Sequence, residues 1–117
     1  MSMTIKEAVQ RTDALCKLNA YDNETKTFWL EQLDQRIQSE LWRWSPEDAV
    51  RYDWDSCQDH ALLAEAPYDR MYLYWLAANI ALADGEHSAY QNYFAIFDSA
   101  WKEYARWLTR ERGGVLL

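Results

Sequence analysis

The residue types best suited to chemistry lie together in the stretch "DWDSCQDH", which begins at Asp53. Asp53, Asp55 and Asp59 are spaced like the oxygen ligands of a calcium-binding loop. Such a loop requires glycine at its sixth position and a bidentate glutamate at its twelfth, whereas this chain has Gln58 and Ala64 there. We therefore interpret the stretch as an acidic, solvated loop and predict no metal site.

A second chemistry to consider is that of Cys57 and His60, which are three residues apart. A structural zinc site needs four ligands in recognisable pairs, and the remaining candidates, Cys16 and His87, are distant in the sequence. A nucleophilic Cys–His pair needs a third group that orients the histidine, and the sequence offers none. The three glycines form no phosphate-binding loop. We predict no catalytic residue and no cofactor, and hence a protein that is not an enzyme.

Positive charge is concentrated near the C-terminus, where Lys102, Arg106 and Arg110 follow one another at intervals of four and Arg112 comes after them. One interpretation is that these cations stabilise the C-terminal end of a helix through its dipole. The other is that Lys102, Arg106 and Arg110 contact DNA phosphate or an acidic partner. Both interpretations remain open from the sequence.

The overall charge limits the class of partner. The chain has 117 residues, enough for one domain, and a formal net charge of −7. This acidic balance argues against a protein that wraps nucleic acid by neutralising phosphates. The two isolated cysteines and the polar start "MSMTIKEAVQRT", which has no apolar signal-peptide core, predict an intracellular protein with free thiols.

Two helices are predicted in the N-terminal third. The first begins with a capping box at Thr4 and ends near Lys17, and the second begins at Asp22 or Asn23 and ends near Arg43. Apolar residues recur at helical spacing in both. The polar residues of the second helix are expected to face water: Glu31, Asp34, Gln35 and Gln38.

Residues 44–66 interrupt the helical pattern. Pro46 is suited to the first position of a short helical turn, whereas Val50, Tyr52 and Trp54 alternate with charged residues as in a strand. We predict an irregular loop or a small β-hairpin that protrudes from the domain. A loop of this length in a compact domain is uncommon and is usually functional.

The C-terminal half predicts an antiparallel helical hairpin, 67–84 and 86–110, whose turn contains Gly85. Within it, the thirteen residues Met71–Ala83 have one polar side chain, Asn79, but are too few to cross a bilayer. We predict an all-α single domain over 1–117, with about four helices, the hairpin packed on the two N-terminal helices, a flexible tail at 111–117 and no membrane partner.

Aromatic residues are unusually frequent, with seven tryptophans and eight tyrosines. Any one of them at helical spacing is expected to lie in the core, but their total number favours burial against copies of the chain or a partner. The residues that either location would suit are Tyr68, Tyr72, Trp75, Trp101 and Trp107.

Two long stretches resemble a known family: "APYDRMYLYWLAANIALADGEHSAYQNYFAIFDSAWKEYARWLTR" and "MTIKEAVQRTDALCKLNAYDNETKTFWLEQLDQRIQSEL". The sequence is similar to small prophage structural proteins, the head–tail connector or head-completion adaptor proteins of tailed bacteriophages. The similarity covers most of the chain and is weakest at residues 44–65. It rests on a pattern of helix and turn residues rather than on a chemical signature.

The resemblance implies an all-α adaptor that forms a homo-oligomeric ring beneath the phage portal protein. Such a ring extends the channel for passing double-stranded DNA, without sequence specificity, and docks a tail-side connector or stopper protein. The implied location is the head–tail junction of the virion, after assembly in the cytoplasm of the bacterial host.

In such an adaptor, loops and terminal segments make the contacts above and below the ring. Trp54 is the strongest single docking candidate, because packing of a helix face does not explain an aromatic side chain in an irregular loop. The alternative is that Trp54 stacks on its own domain. The full set of candidate docking residues is Trp44, Tyr52, Trp54, His60, Arg110, Arg112, Leu116 and Leu117.

Two other classes of function remain open. One is a small cytoplasmic helical protein-binding module or homodimeric regulator that holds a partner helix in an aromatic groove. The other is an enzyme or metal protein that uses the Asp-rich loop. Ring-sized assemblies would favour the connector, a tight dimer would favour the module, and bound metal would favour the third class.

Overall fold

The computed structural model describes residues 2–16, 19–42 and 46–111 and confirms the all-α fold. The described part contains no β-strand, only an isolated antiparallel bridge between Thr4 and Ala61. Short 3-10 turns occupy Pro46–Asp48 and Tyr68–Arg70. The α-helices are α1 (Ile5–Leu15), α2 (Asn23–Leu41), α3 (Trp54–Cys57), α4 (Met71–Ala83) and α5 (His87–Glu111).

Both N-terminal helices begin where the sequence predicts. At α1 the Glu7 backbone N–H donates to Thr4 Oγ1 at 3.2 Å, and the Thr4 N–H donates to Glu7 Oε1 at 3.0 Å, which completes the capping box. At α2 the Asp22 carboxylate accepts from the Thr25 N–H at 2.8 Å. The predicted ends near Lys17 and Arg43 lie outside the described residues.

Helix α4 is the centre of the domain, in contact with α1, α2 and α5. Because these neighbours cover it on several sides, most of the apolar surface of this helix is buried within one copy of the domain. Its one polar side chain, Asn79, donates to the Trp75 carbonyl of the preceding turn. Its buried residues are Met71, Tyr72, Leu76, Ala77, Ala78, Ile80 and Ala81.

Much of the aromatic content belongs to this core. Tyr72 and Trp101 are buried, and the half-buried Trp75 donates its indole N–H to the Trp29 carbonyl at 2.7 Å. Tyr68 and Trp107 are also half-buried and lie with ring centroids 5.3 Å apart. These aromatic side chains therefore pack within one copy, and the half-buried ones keep an exposed edge.

The turn between α4 and α5 contains Gly85, whose φ of +73° lies in the left-handed region. No atom lies within 4 Å of a Cβ built there, so the cost of a side chain is conformational rather than steric. We expect Gly85→Ala to lower the free energy of unfolding by about 1 kcal/mol. Denaturant unfolding measures this, with the exposed Asn92→Ala as control; equal values for the two variants would contradict the expectation.

The segment after α2 takes the first of the two predicted forms, an irregular loop. Residues 46–66 form no β-hairpin; they contain a 3-10 turn and the one-turn helix α3, and their main chain bonds to side chains of α2. The alternation of Val50, Tyr52 and Trp54 has another cause, because the main chain here pairs with side chains of α2 rather than with a strand.

No helix in the described part of the chain combines the length and the apolar character needed to cross a membrane.

Candidate functional site

The polar side of α2 is the largest departure from the sequence prediction. Glu31, Asp34, Gln35 and Gln38 share one face of the helix, because their spacing is three, four and seven residues. We expected this face to contact water. Instead Asp34 is fully buried and Gln38 is 7 % exposed, and all four side chains bind residues 48–63.

We call these four residues the polar face and residues 47–61 the strap. The Gln38 side-chain amide bonds to two main-chain groups of the strap. Its N–H donates to the Asp48 carbonyl at 3.0 Å, and its oxygen accepts from the Val50 N–H at 3.0 Å. Gln35 donates to the Val50 carbonyl at 2.9 Å. Glu31 accepts from the Tyr52 N–H at 2.8 Å. The polar face thus supplies hydrogen-bond partners to the strap main chain from Asp48 to Tyr52.

Asp34 joins three parts of the fold. Its carboxylate accepts from the Tyr52 hydroxyl of the strap, from the Tyr72 hydroxyl of α4 at 2.5 Å, and from the Leu63 N–H at 3.1 Å. Tyr72 in turn accepts from the Ala64 N–H at 2.8 Å. One buried carboxylate therefore connects α2, α4, the strap and the residues that follow the strap.

Burial controls the ionisation of this group. Desolvation raises the pKa of the Asp34 carboxyl from 3.8 to about 6, although the bonds from Tyr52, Tyr72 and Leu63 favour its charged form. Burial and the neighbouring Asp34 charge also raise the pKa of both tyrosine hydroxyls. The tyrosines therefore stay protonated donors at neutral pH, while Asp34 gains its proton in mildly acidic solution.

This shift predicts a stability gain in mild acid. Because the pKa of Asp34 is higher in the folded than in the unfolded state, its stabilising contribution is complete below pH 3.8 and is lost as the pH rises through about 6. We expect the free energy of unfolding to increase by about 1 kcal/mol from pH 7 to pH 5 on this account. Denaturant titrations of the wild type and Asp34→Asn isolate the contribution, and identical pH profiles would contradict it.

The strap also completes the N-terminus of α1. The Ile5 N–H donates to the His60 carbonyl and the Lys6 N–H donates to the Gln58 carbonyl, each at 3.0 Å. These amides belong to the first turn of α1, where a helix has no acceptors of its own. The strap therefore connects α2 to α1 through main-chain atoms.

The strap contributes little to the apolar core. None of the residues 47–61 is buried, and burial resumes at Leu62 and Ala64. Tyr52, Trp54 and Cys57 are half-buried and pack against the edge of the core. The strap is therefore attached mainly by hydrogen bonds to polar side chains.

The predicted docking residues fall into different environments. Tyr52 is half-buried and bonded to Asp34, and Trp54 is half-buried at the start of α3, which is the alternative we considered for it. His60 is exposed, with its ring centroid 5.2 Å from that of Tyr52, so the structure brings these two together. Arg110 is exposed in the last turn of α5. The predicted docking residues outside the described part are Trp44, Arg112, Leu116 and Leu117.

The basic residues of α5 are all exposed. Lys102 pairs with Asp98, one turn earlier, at 2.9 Å. Arg106 and Arg110 continue the same line along the helix, remote in sequence from the strap. This placement is compatible with both earlier interpretations, the helix dipole and an external acidic or phosphate group.

The Asp-rich stretch is not arranged as a calcium loop. Asp53 caps α3, because its carboxylate accepts from the Ser56 N–H at 3.1 Å. The carboxylates of Glu24, Asp53 and Asp55 approach within 4.8 Å of one another and are all exposed. Exposed acidic groups of this kind need no ion, and we assign none.

The cysteines occupy unrelated places. The Cys57 sulfur lies 3.8 Å from Ser56 Oγ in α3. Cys16 is half-buried at the edge of a cleft of about 280 Å³, and burial raises the pKa of its thiol although a bond with Tyr93 opposes this. We call this space the end cleft; its lining includes Ala81 and Asp84 at the end of α4. A thiol with a raised pKa is a poor nucleophile at neutral pH.

Apolar side chains remain exposed in separate regions of the described surface. Leu15 and Leu82 are 44 % and 51 % exposed, and their neighbours Cys16 and Ala81 line the end cleft. Ile96 is 46 % exposed in a groove of about 300 Å³ between α5 and Arg70. Phe28 of α2 is the fourth such side chain, at 53 %. The end cleft and the α5 groove share no lining residue.

Comparisons with protein-family models, with curated proteins and with solved structures find no match for this chain.

Sequence reasoning missed the role of the polar face, including the buried Asp34. The signal that would have found them is the main chain of residues 46–66, whose N–H and C=O groups must be satisfied without regular structure. A helix with carboxylate and amide side chains on one face, directly before such a segment, supplies those partners.

Proposed function

We propose that this protein is a structural subunit of a tailed bacteriophage, which forms a homo-oligomeric ring at the head–tail junction and docks on the portal protein. In this role it extends the channel for double-stranded DNA and receives the next tail-side connector or stopper. It performs no catalysis, and it reaches the virion after assembly in the host cytoplasm. The resemblance of two long stretches of the chain to this family supports the proposal.

The structural observation that carries the proposal is a pair of separate surface clefts, each near exposed apolar side chains, on one small subunit. A head-to-tail ring requires two different, complementary patches on each copy. Two such regions are available. One is the end cleft, whose lining residues Cys16 and Ala81 are next in sequence to the exposed Leu15 and Leu82, and the other is the α5 groove with Ile96. Single exposed apolar residues are ordinary, but clefts that combine them with small side chains suit close approach of a neighbour.

Charge supports the same role. With a formal net charge of −7, most of the surface repels phosphate, so DNA passes through a ring of such subunits without adhering. The exposed Arg106 and Arg110 then contact an acidic partner or the passing DNA. In this arrangement the strap, with Tyr52 and Trp54, faces the portal or the tail-side protein.

Native mass spectrometry across a concentration series, first alone and then with portal protein, tests the proposal. We expect ring-sized species, or binding to the assembled portal only, with affinity reduced at least tenfold by Ile96→Asp. Asn92→Asp, exposed on the same helix, is the control of equal added charge. A monomer that ignores the portal at every concentration overturns the proposal. A tight dimer that ignores it favours the small helical binding module or homodimeric regulator.

A further inference from the structure

The attachment of the strap, which includes α3, differs from that of the four long helices of the domain. The helices α1, α2, α4 and α5 bury apolar side chains in the common core, whereas none of the residues 47–61 is buried. Beneath the strap lie a carboxylate and an amide, Asp34 and Gln38. Separation of the strap from α2 therefore exposes groups that water solvates well. The apolar contact that it breaks is that of the half-buried Tyr52, Trp54 and Cys57 with the edge of the core.

We infer that the strap opens as one unit while the four long helices stay folded, and that Asp34 is the latch that holds it closed. Opening exchanges the bonds of Val50, Tyr52, Ile5 and Lys6 for bonds to water. Each such exchange carries a small net free energy, in contrast to the loss of apolar packing. Regions with few buried contacts are those that open first in native proteins.

The strap has the reach to act outside the domain once released. The strap has fifteen residues, 47–61. A chain of this length that extends outward and returns uses about 7 residues each way, which is a reach of about 24 Å. The far end is fixed by the buried Leu62, whose N–H donates to the Met3 carbonyl at 2.9 Å. Release frees the side chains of Tyr52 and Trp54, which are the aromatic type that anchors interfaces.

The use of the open strap as a docking element rests on the proposed function. In that setting the latch keeps the aromatic docking side chains against the domain in the free subunit. The portal or tail-side protein then binds the open form and shifts the population toward it. The opening itself is a property of the isolated chain and is measured there.

The burial of the Asp34 carboxyl makes opening sensitive to pH. The strap places Tyr52, Cys57 and His60 near the Asp34 site, α4 contributes Tyr72, and α2 adds Glu31. Desolvation of the ionised Asp34 opposes the closed form at neutral pH, and protonation removes this penalty. We expect opening to be about tenfold rarer at pH 5 than at pH 7.

Native-state hydrogen exchange of the full chain tests the inference. The amides of Val50, Tyr52, Ile5 and Lys6 are expected to share one opening equilibrium, at least about 100-fold more populated than the opening that exposes the Ile80 amide within α4. Tyr52→Phe removes the strap's bond to Asp34 and is expected to raise strap opening at least about tenfold. Tyr90→Phe, a half-buried tyrosine of α5 whose ring packs on Phe94, is expected to leave it unchanged.

Two results overturn the inference. The first is that the strap amides exchange no faster than the Ile80 amide. The second is that Tyr52→Phe accelerates exchange of the strap amides and of the α4 amides by the same factor. Loss of the pH effect in Asp34→Asn, after correction for intrinsic exchange rates, is the expected signature of the latch; its persistence contradicts the role of Asp34. If these exchange experiments contradict strap opening, the ring proposal is unaffected. If the strap opens as expected but neither rings nor portal binding are found, the latch is retained and the ring proposal is rejected.

Discussion

Asp34→Ala is expected to lower the free energy of unfolding at pH 7 by about 3 kcal/mol. The substitution removes the acceptor of the Tyr52 and Tyr72 hydroxyls and of the Leu63 N–H. Each buried donor left without a partner costs about 1–3 kcal/mol, and the relief of carboxylate desolvation offsets part of that sum. Typical domains have a stability of about 5–15 kcal/mol, so this change removes a large share.

Chemical denaturation monitored by circular dichroism measures the effect, and Glu40→Ala on the same helix is the control. Glu40 is exposed and pairs with Arg36 one turn away, a contact worth about 0.5 kcal/mol. In the double variant Asp34→Ala with Tyr52→Phe, the loss is expected to fall short of the sum of the single losses, because the two groups bond each other. A loss below about 1 kcal/mol for Asp34→Ala would show that the buried network does not stabilise the fold.

Leu76→Ala is expected to cost about 3–4 kcal/mol. Leu76 lies in the middle of α4 with no exposed surface, so the substitution loses apolar burial and leaves a cavity among four helices. Because α4 contacts α1, α2 and α5 at once, little room exists for the neighbours to collapse into the space.

The matched control is Leu82→Ala, the same substitution on the same helix at a side chain that is 51 % exposed. It is expected to change the free energy of unfolding by no more than about 0.5–1 kcal/mol. Equal losses in urea denaturation would contradict the central place of α4. Because Leu82→Ala is expected to spare the fold, the variant also tests assembly. If the ring uses the end cleft, ring formation weakens while the subunit stays folded.

The sequence predicted those features that depend on local rules. The capping box at Thr4, the Asp22 cap and the Gly85 turn are short-range signals, and the structure contains each of them. The all-α class and the α4–α5 hairpin followed from helical periodicity and from the short break, three residues long in the structure, between the two helices. These features can be predicted without knowledge of the tertiary contacts.

The polar face could not be predicted in the same way, because the amphipathic rule assigns polar residues to water by default. Asp34 is buried because a segment distant in sequence lies over it, and the hydroxyls of Tyr52 and Tyr72 replace water as donors. The irregular structure predicted for residues 44–66 is present in the described part, 46–66. Only the tertiary structure shows that the Tyr52 N–H and hydroxyl already bond to Glu31 and Asp34 within the subunit.

The central position of α4 has a consequence for synthesis on the ribosome. Helices α1 and α2 emerge first, yet their shared partner is complete only once residue 83 has been made, and α5 follows later still. Until then the apolar sides of α1 and α2 have only each other to pack on. The domain thus folds as a unit late in translation or after release, and a chain arrested before α4 exposes apolar surface to chaperones.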